Sequence, residues 1–305
     1  MLPIYQAPVI QEINEPLFQA KGIRLFIKRE DLIHPEVSGN KWRKLKYNLL
    51  QARELGKKTL LTFGGAFSNH IYATAAAAKE AGFKSIGIIR GEETLPLNPT
   101  LVFAQSCGMQ LEYISRSAYR EKKSEIFLNS LMEKFGDFHL IPEGGSNRQA
   151  VQGCAELVEE VKEPYDHWVV SVGTGGTMAG IICGLAGKSN VIGTSALKGG
   201  DFLTEEVRGL MLSHDTRPFD NWRIETEYHF GGYAKINDEL VTFINEFKSN
   251  HHIQLDPVYT GKMMMAIYDI AKKGAFKKGE SILAIHTGGL QGIKGINARY
   301  GDMLH

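Results

Sequence analysis

The sequence is short of cysteine, of long hydrophobic runs and of any excess of one charge. Its three cysteines, Cys107, Cys154 and Cys183, lie far apart and form no CxxC pair. Such a set argues against a disulfide framework or a zinc site and fits a reducing compartment. The 35 basic side chains meet 34 acidic ones for a net charge of +1, so neither nucleic acid nor an anionic membrane is an expected partner. One uncharged stretch, Trp168 to Gly187, approaches the ~20 residues that a bilayer span needs. It holds six glycines and reads better as a buried strand, loop and helix. The opening "MLPIYQAPVIQEINEP" lacks a basic start followed by an apolar run, so no secretory leader is expected and the protein is read as cytoplasmic. Repeats and low-complexity tracts are absent. What remains is 305 residues, 43% hydrophobic and 23% charged, enough for one large or two ordinary globular domains and incompatible with disorder or a collagen-like repeat.

Apolar runs of strand length alternate with helical periodicity. "IRLFIKRE" predicts a strand; Trp42, Leu45, Leu49 and Ala52 then recur at steps of three and four, marking a helix with one buried face. The alternation continues through "KTLLTFGG", "SNHIYATAAAAKEAG", "KSIGIIRG", "NPTLVFAQSCG" and "QLEYIS", and "SAYREKKSEIFLNSLMEKFG" predicts one long charged helix. After "PEGGSN", read as a crossing between two sheets, come the helix "RQAVQGCAELVEEVKE", the strand "HWVVSVG", the helix "TMAGIICGLAG" and the strand "NVIGTSAL". Late helices "INDELVTFINEFKSN" and "GKMMMAIYDIAKKG" frame a last strand, "ESILAIHTGG". Met263, Met264 and Met265 belong to that helix core rather than to a metal box, and no metal is expected. This pattern specifies an α/β architecture with mainly parallel sheets covered on both faces.

Two strands end in glycine pairs followed by a helix start, "FGGAFSN" and "SVGTGGT", and ligands of open parallel sheets bind beyond such strand ends. Glycines let the backbone N–H groups of Gly173 to Thr177 approach a ligand, the helix start adds positive potential, and Thr174 and Thr177 offer hydroxyls. A phosphate fits. The loop departs from the dinucleotide fingerprint at Met178 and no acid follows to hold a ribose, and "GLAGKS" puts Ile182 where a Walker loop needs glycine. A nicotinamide oxidoreductase and a nucleotide triphosphatase are therefore disfavoured. "SGNKWRKLKY" meanwhile places Lys41, Arg43 and Lys44 at a helix start, where the macrodipole favours anions. A lysine among cations has its pKa lowered, and Arg43 and Lys44 are read as setting that field. A phosphate loop, such a lysine, and a second loop with Ser68 and Asn69 together suit pyridoxal phosphate, whose aldehyde is held by a lysine and whose phosphate is gripped by backbone.

In order along the chain, "GNKWRKL", "GGAFSNH", "GTGGT", "GGY", "DPVYTGK" and "HTGG" resemble the fold-type II pyridoxal-phosphate enzymes of the 1-aminocyclopropane-1-carboxylate deaminase and D-cysteine desulfhydrase group, from "KRED" at 28 to "HTGG" at 289. The resemblance implies the tryptophan synthase β-like fold of two open, twisted, mainly parallel sheets, with residues 1–44 and 148–305 forming a large cofactor-binding domain and 45–147 a small substrate-side domain. It implies pyridoxal 5'-phosphate held by Lys41 as the Schiff-base lysine and by Gly173, Thr174, Gly175, Gly176 and Thr177 around the phosphate. Ser68 and Asn69 match residues that meet the substrate carboxylate and the cofactor's phenolic oxygen, and Tyr233 and Tyr259 match two tyrosines flanking the substrate. His70 and His286 adjoin these motifs and receive no catalytic role. A homodimer acting on a small amino acid is implied as well.

The group divides at two positions. Deaminases of the family carry glutamate directly after the second tyrosine and leucine in the last motif, whereas this chain has Thr260 and Thr287, as desulfhydrases do. A carboxylate at the pyridine nitrogen keeps it protonated and strengthens the electron sink, while a hydroxyl bonds it with less charge assistance. The expectation is α,β-elimination of D-cysteine, or a related β-substituted amino acid, to pyruvate, ammonia and hydrogen sulfide, with Lys41 or a tyrosine taking the Cα proton. Deaminase activity is the nearest alternative, and a non-catalytic pyridoxal-phosphate carrier is one of another class. Trp42, where smaller residues are common in the family, is expected to narrow the pocket.

Overall fold

All strand pairings but one are parallel, as the alternation of strands and helices predicts. The computed structural model describes residues 2–305. Its strands are β1 (Ile10–Ile13), β2 (Arg24–Lys28), β3 (Thr59–Gly65), β4 (Lys84–Arg90), β5 (Met109–Ile114), β6 (His139–Ile141), β7 (His167–Val172), β8 (Asn190–Ser195), β9 (Trp222–Glu225) and β10 (Ser281–Ile285). Interleaved are helices α1 (Pro16–Lys21), α2 (Asn40–Glu54), α3 (Asn69–Ala81), α4 (Pro99–Ser106), α5 (Arg116–Arg120), α6 (Glu125–Phe135), α7 (Arg148–Glu159), α8 (Gly176–Leu185), α9 (Leu203–His214), α10 (Asp238–His251), α11 (Thr260–Lys272) and α12 (Gly292–Tyr300). A six-stranded sheet runs β1-β2-β10-β7-β8-β9 and a four-stranded sheet β5-β4-β3-β6. Only β1, at an edge, is antiparallel. The chain leaves the smaller sheet after Ile141, through "PEGGSN", and enters the larger one at His167.

Burial on both faces explains the β-branched runs. In β10, Ile282 and Ala284 join the core beneath α10 and α11, while Leu283 and Ile285 join the opposite core with α8 and α9. Each fully buried aliphatic side chain of this kind stabilises the fold by ~1.5–3 kcal/mol. No helix among the described residues is long and apolar enough to cross a membrane.

Three expectations are corrected. The long charged helix is two, α5 and α6, because the Ser124 hydroxyl accepts the Phe127 N–H and starts a new helix inside the run. Trp42 does not narrow the site: it is buried with Leu45, Leu49 and Ala52, and its indole N–H donates to the Pro3 carbonyl at 3.0 Å. Arg43 does not supply a free positive field either. It is 1% exposed, its Nε lies 2.9 Å from Glu30 Oε2 and its Nη2 2.7 Å from Glu160 Oε2, and Lys28 Nζ completes the cluster 2.7 Å from Glu30 Oε1.

Candidate active site

Strands β2 and β10 pair in parallel register, Lys28 opposite Ile285, so the segments that follow them emerge side by side. Gly39 has φ +63, and a Cβ there would stand 2.0 Å from the Thr287 carbonyl oxygen; only glycine permits this approach. The next N–H, of Asn40, donates to that same carbonyl at 3.2 Å. Asn40 Nδ2 then donates to Thr177 Oγ1 at 2.9 Å, and its Oδ1 accepts from Lys41 Nζ at 3.1 Å. The start of α2 is thus fastened to both the loop after β10 and the first turn of α8.

Lys41 is half-buried. Burial lowers its pKa to about 7, and the neighbouring charge of Lys44 adds to the effect. Lys44, itself lowered to about 8 by burial, reaches the glycine loop: its Nζ donates to Gly144 O at 3.1 Å and Ser146 Oγ at 2.9 Å, with Thr174 Oγ1 at 3.4 Å. The field at Lys41 therefore comes from Lys44.

Among the described residues, the N–H groups of Thr174, Gly175, Gly176 and Thr177 donate to no backbone carbonyl, as the open first turn of a helix requires. A Cβ on Gly176 would meet Ser146 Oγ at 2.8 Å and Lys44 Nζ at 3.1 Å, and one on Gly173 would meet the Tyr259 ring at 3.0 Å. Four free N–H groups, the α8 dipole and the Lys44 ammonium form a cradle that fits the phosphate of pyridoxal phosphate, with the Lys41 amine on the same scaffold.

The rest of the site closes around this cradle. Ser68 caps α3, its hydroxyl accepting the His70 and Ile71 N–H groups at 3.2 and 3.3 Å. Asn69 Nδ2 lies 2.8 Å from where a Gly289 Cβ would stand, against the loop after β10. Tyr259 and Tyr233 face each other with ring centroids 6.1 Å apart, and burial pushes the Tyr259 phenol well above its ordinary pKa. Thr260 is fully buried; its hydroxyl donates to Asp256 Oδ1 at 2.8 Å and accepts the Asp256 N–H at 2.8 Å. Asp256 caps α11 through the Val258, Tyr259 and Thr260 N–H groups. Among the described residues the Thr287 hydroxyl has one hydrogen-bond partner, Ser171 Oγ at 3.3 Å, and it is the freer of the two threonines. His70 and His286 are occupied structurally: His70 Nε2 lies 2.7 Å from Thr62 Oγ1 and His286 Nε2 2.7 Å from the Gln254 carbonyl. These contacts link the start of α2 to the 173–177 loop and to Thr287, Gly173 to Tyr259, Tyr259 to Tyr233, and Asn69 to the loop after β10, while Ser68 is seen as a helix cap and Thr260 is fully buried. Sequence reasoning missed Ser146 and Asp256, the former although "PEGGSN" had been singled out.

Two parallel sheets with a lysine at a helix start and a glycine cradle at the neighbouring strand end define a fold-type II pyridoxal-phosphate enzyme. Comparison with known proteins agrees. Residues 3–288 match the pyridoxal-phosphate dependent enzyme family. A Pyrococcus abyssi protein, provisionally named a 1-aminocyclopropane-1-carboxylate deaminase, is 34% identical over 89% of this chain and 86% of its own. The mitochondrial bifunctional D-cysteine desulfhydrase/1-aminocyclopropane-1-carboxylate deaminase of Arabidopsis thaliana is also 34% identical, over 89% of this chain and 74% of its own. The crystal structure of a 1-aminocyclopropane-1-carboxylate deaminase homologue superimposes with a TM-score of 0.84 at 29% identity, covering 99% of this chain and 95% of that one. The chain belongs to the pyridoxal-phosphate-dependent 1-aminocyclopropane-1-carboxylate deaminase/D-cysteine desulfhydrase family.

Proposed function

We propose that the protein is a carbon–sulfur lyase that converts D-cysteine, or a related β-substituted amino acid, and water to pyruvate, ammonia and hydrogen sulfide. The observation that carries the choice within the family is the pair Thr260 and Thr287, which leaves no carboxylate directly after Tyr259. When bound, pyridoxal phosphate supplies an aldehyde that condenses with the substrate amine and a ring that accepts the electron pair left at Cα. Residues 173–177 and Lys44 would hold its phosphate. Of the two threonines, Thr287 is the one whose hydroxyl would be available to the pyridine nitrogen, since the Thr260 hydroxyl is committed to Asp256. Ser68 and Asn69 orient the substrate carboxylate and the phenolic oxygen.

Of the candidate bases, Lys41 is favoured: a pKa of about 7 leaves a neutral amine available near neutrality, whereas the raised pKa of Tyr259 keeps its phenol protonated. Lys41 Nζ would remove the Cα proton, the pair left at Cα would become the Cα–Cβ double bond as hydrosulfide departs with the Cβ–S pair, and Tyr259, held protonated, would serve as a hydrogen-bond donor beside the substrate. Both roles follow from environment rather than residue type.

The second reading, deamination of 1-aminocyclopropane-1-carboxylate, draws on the names of the Pyrococcus and Arabidopsis relatives. Assay of the purified holoenzyme with D-cysteine and with the cyclopropane acid decides. Pyruvate and sulfide release should dominate; 2-oxobutanoate formed faster than pyruvate would overturn the proposal.

A further inference from the structure

Between β9 and α10 the chain passes through a loop whose backbone is costly: Phe230, Gly231, Gly232 and Ala234 all have positive φ, at 50°, 89°, 117° and 53°. Two of these carry a Cβ, which in that region crowds the following carbonyl oxygen and is unfavourable for a non-glycine residue. The loop's own backbone bonds are sparse, Gly232 N to His229 O at 3.0 Å and Lys235 N to Gly232 O at 3.2 Å. It nevertheless presents Tyr233, 41% exposed at the cleft, opposite Tyr259.

Beneath it lies Lys262, in the first turn of α11 and 1% exposed. Its ammonium has no carboxylate within salt-bridge distance among the described residues; it donates to His229 O and Gly232 O, both at 2.8 Å. These are the two carbonyls that already anchor the turn, so one side chain ties both of its ends. A buried cation spent on two backbone carbonyls is expensive, and burial lowers its pKa to about 8. A core position in α11 would be better served by the methionine found at its neighbours 263 and 264, unless the ammonium is needed where it is.

We infer that Lys262 is a positioning residue that holds Tyr233 against Tyr259, so that one helix turn fixes both tyrosines, Tyr259 through the chain and Tyr233 through the lysine. The inference rests on the reading of Tyr233 as a substrate-facing residue. It assigns Lys262 no contact with substrate or cofactor.

The test is a double-mutant cycle on holoenzyme. Lys262→Met keeps the volume and removes the donors. It should retain the visible Schiff-base absorbance yet lose tenfold or more in kcat/KM, and adding Lys262→Met to Tyr233→Phe should cost little further, because both changes disable the same contact. Lys262→Arg, which keeps charge and donors, should recover part of the loss. Full activity in Lys262→Met, or losses that multiply in the double variant, would overturn the inference. Amide hydrogen exchange gives a separate reading: residues 229–235 should exchange faster in Lys262→Met while the rest of α11 stays protected, and unchanged exchange would refute the brace. Full activity in Tyr233→Phe would instead refute the substrate-facing role and leave the exchange experiment to judge the brace. Should Lys262→Met not fold, Lys262→Gln enters the same cycle.

Discussion

The lowered pKa of Lys41 has a kinetic signature. Only the neutral amine attacks an aldehyde, so the rate at which apoenzyme takes up pyridoxal phosphate should follow the neutral fraction of Lys41. At pH 8 a lysine with the ordinary value of 10.5 is about 0.3% neutral, and one at about 7 is about 90% neutral, a difference of about 300-fold in reactive amine. Stopped-flow recording of the visible Schiff-base absorbance between pH 6 and 9 should show a rate that rises through pH 7 and levels off above pH 8. Dividing by the rate of a free lysine analogue, itself first divided by that analogue's neutral fraction at each pH, removes the titration of the reagent. Lys44→Met withdraws the neighbouring cation, so the neutral form of Lys41 becomes less favoured, its pKa rises and the plateau moves to higher pH. A rate that climbs tenfold per pH unit to pH 9 without levelling would refute the assignment of a low-pKa amine, and an unmoved plateau in Lys44→Met would refute the role of Lys44.

Three further outcomes are expected. Lys41→Ala should abolish the absorbance and lower turnover by at least the ~10²–10⁴-fold that a positioned base contributes; retention of full activity would remove Lys41 from the mechanism. Arg43→Met leaves the fully buried Glu30 with Lys28 as its remaining ion-pair partner and should cost ~3–5 kcal/mol in denaturant unfolding, with a loss under ~1 kcal/mol counting against a tightly coupled cluster. Gly39→Ala places a methyl on the Thr287 carbonyl and should impair cofactor uptake at least as strongly as Lys44→Met; normal uptake would show that the close approach is dispensable.

Features written locally were legible in the sequence. Gly39 before Lys41, the run at 173–177 and Ser68 ahead of an alanine-rich helix are each patterns a few residues long, and each marks a strand end or helix start where a ligand can sit. What escaped depends on distant partners. Lys44 meets Ser146 and Thr174 across more than a hundred residues, and Arg43 is neutralised by Glu30 and Glu160 from two other segments; nothing in "KWRKL" distinguishes the lysine that faces the cradle from the arginine buried behind it. For Trp42 the information was present: it shares the stripe of Leu45, Leu49 and Ala52, and helical period should have outweighed its novelty in the motif. Strands β1, β6 and β9 have three or four residues each, too few for periodicity to register.

The clasp between Gly39–Asn40 and the Thr287 carbonyl joins positions about 250 residues apart in the chain. During synthesis, β3 to β6 can pair and bury their apolar faces while Lys41 still lacks the carbonyl on which its helix start docks. The reactive amine comes into register only after β10 has been made and inserted between β2 and β7. A ribosome-bound chain that has not yet exposed β10 would therefore be partly structured but would carry no protein-bound Schiff base in the presence of pyridoxal phosphate, so onset of the Schiff-base absorbance, distinct from that of the free aldehyde, would time the last step of folding.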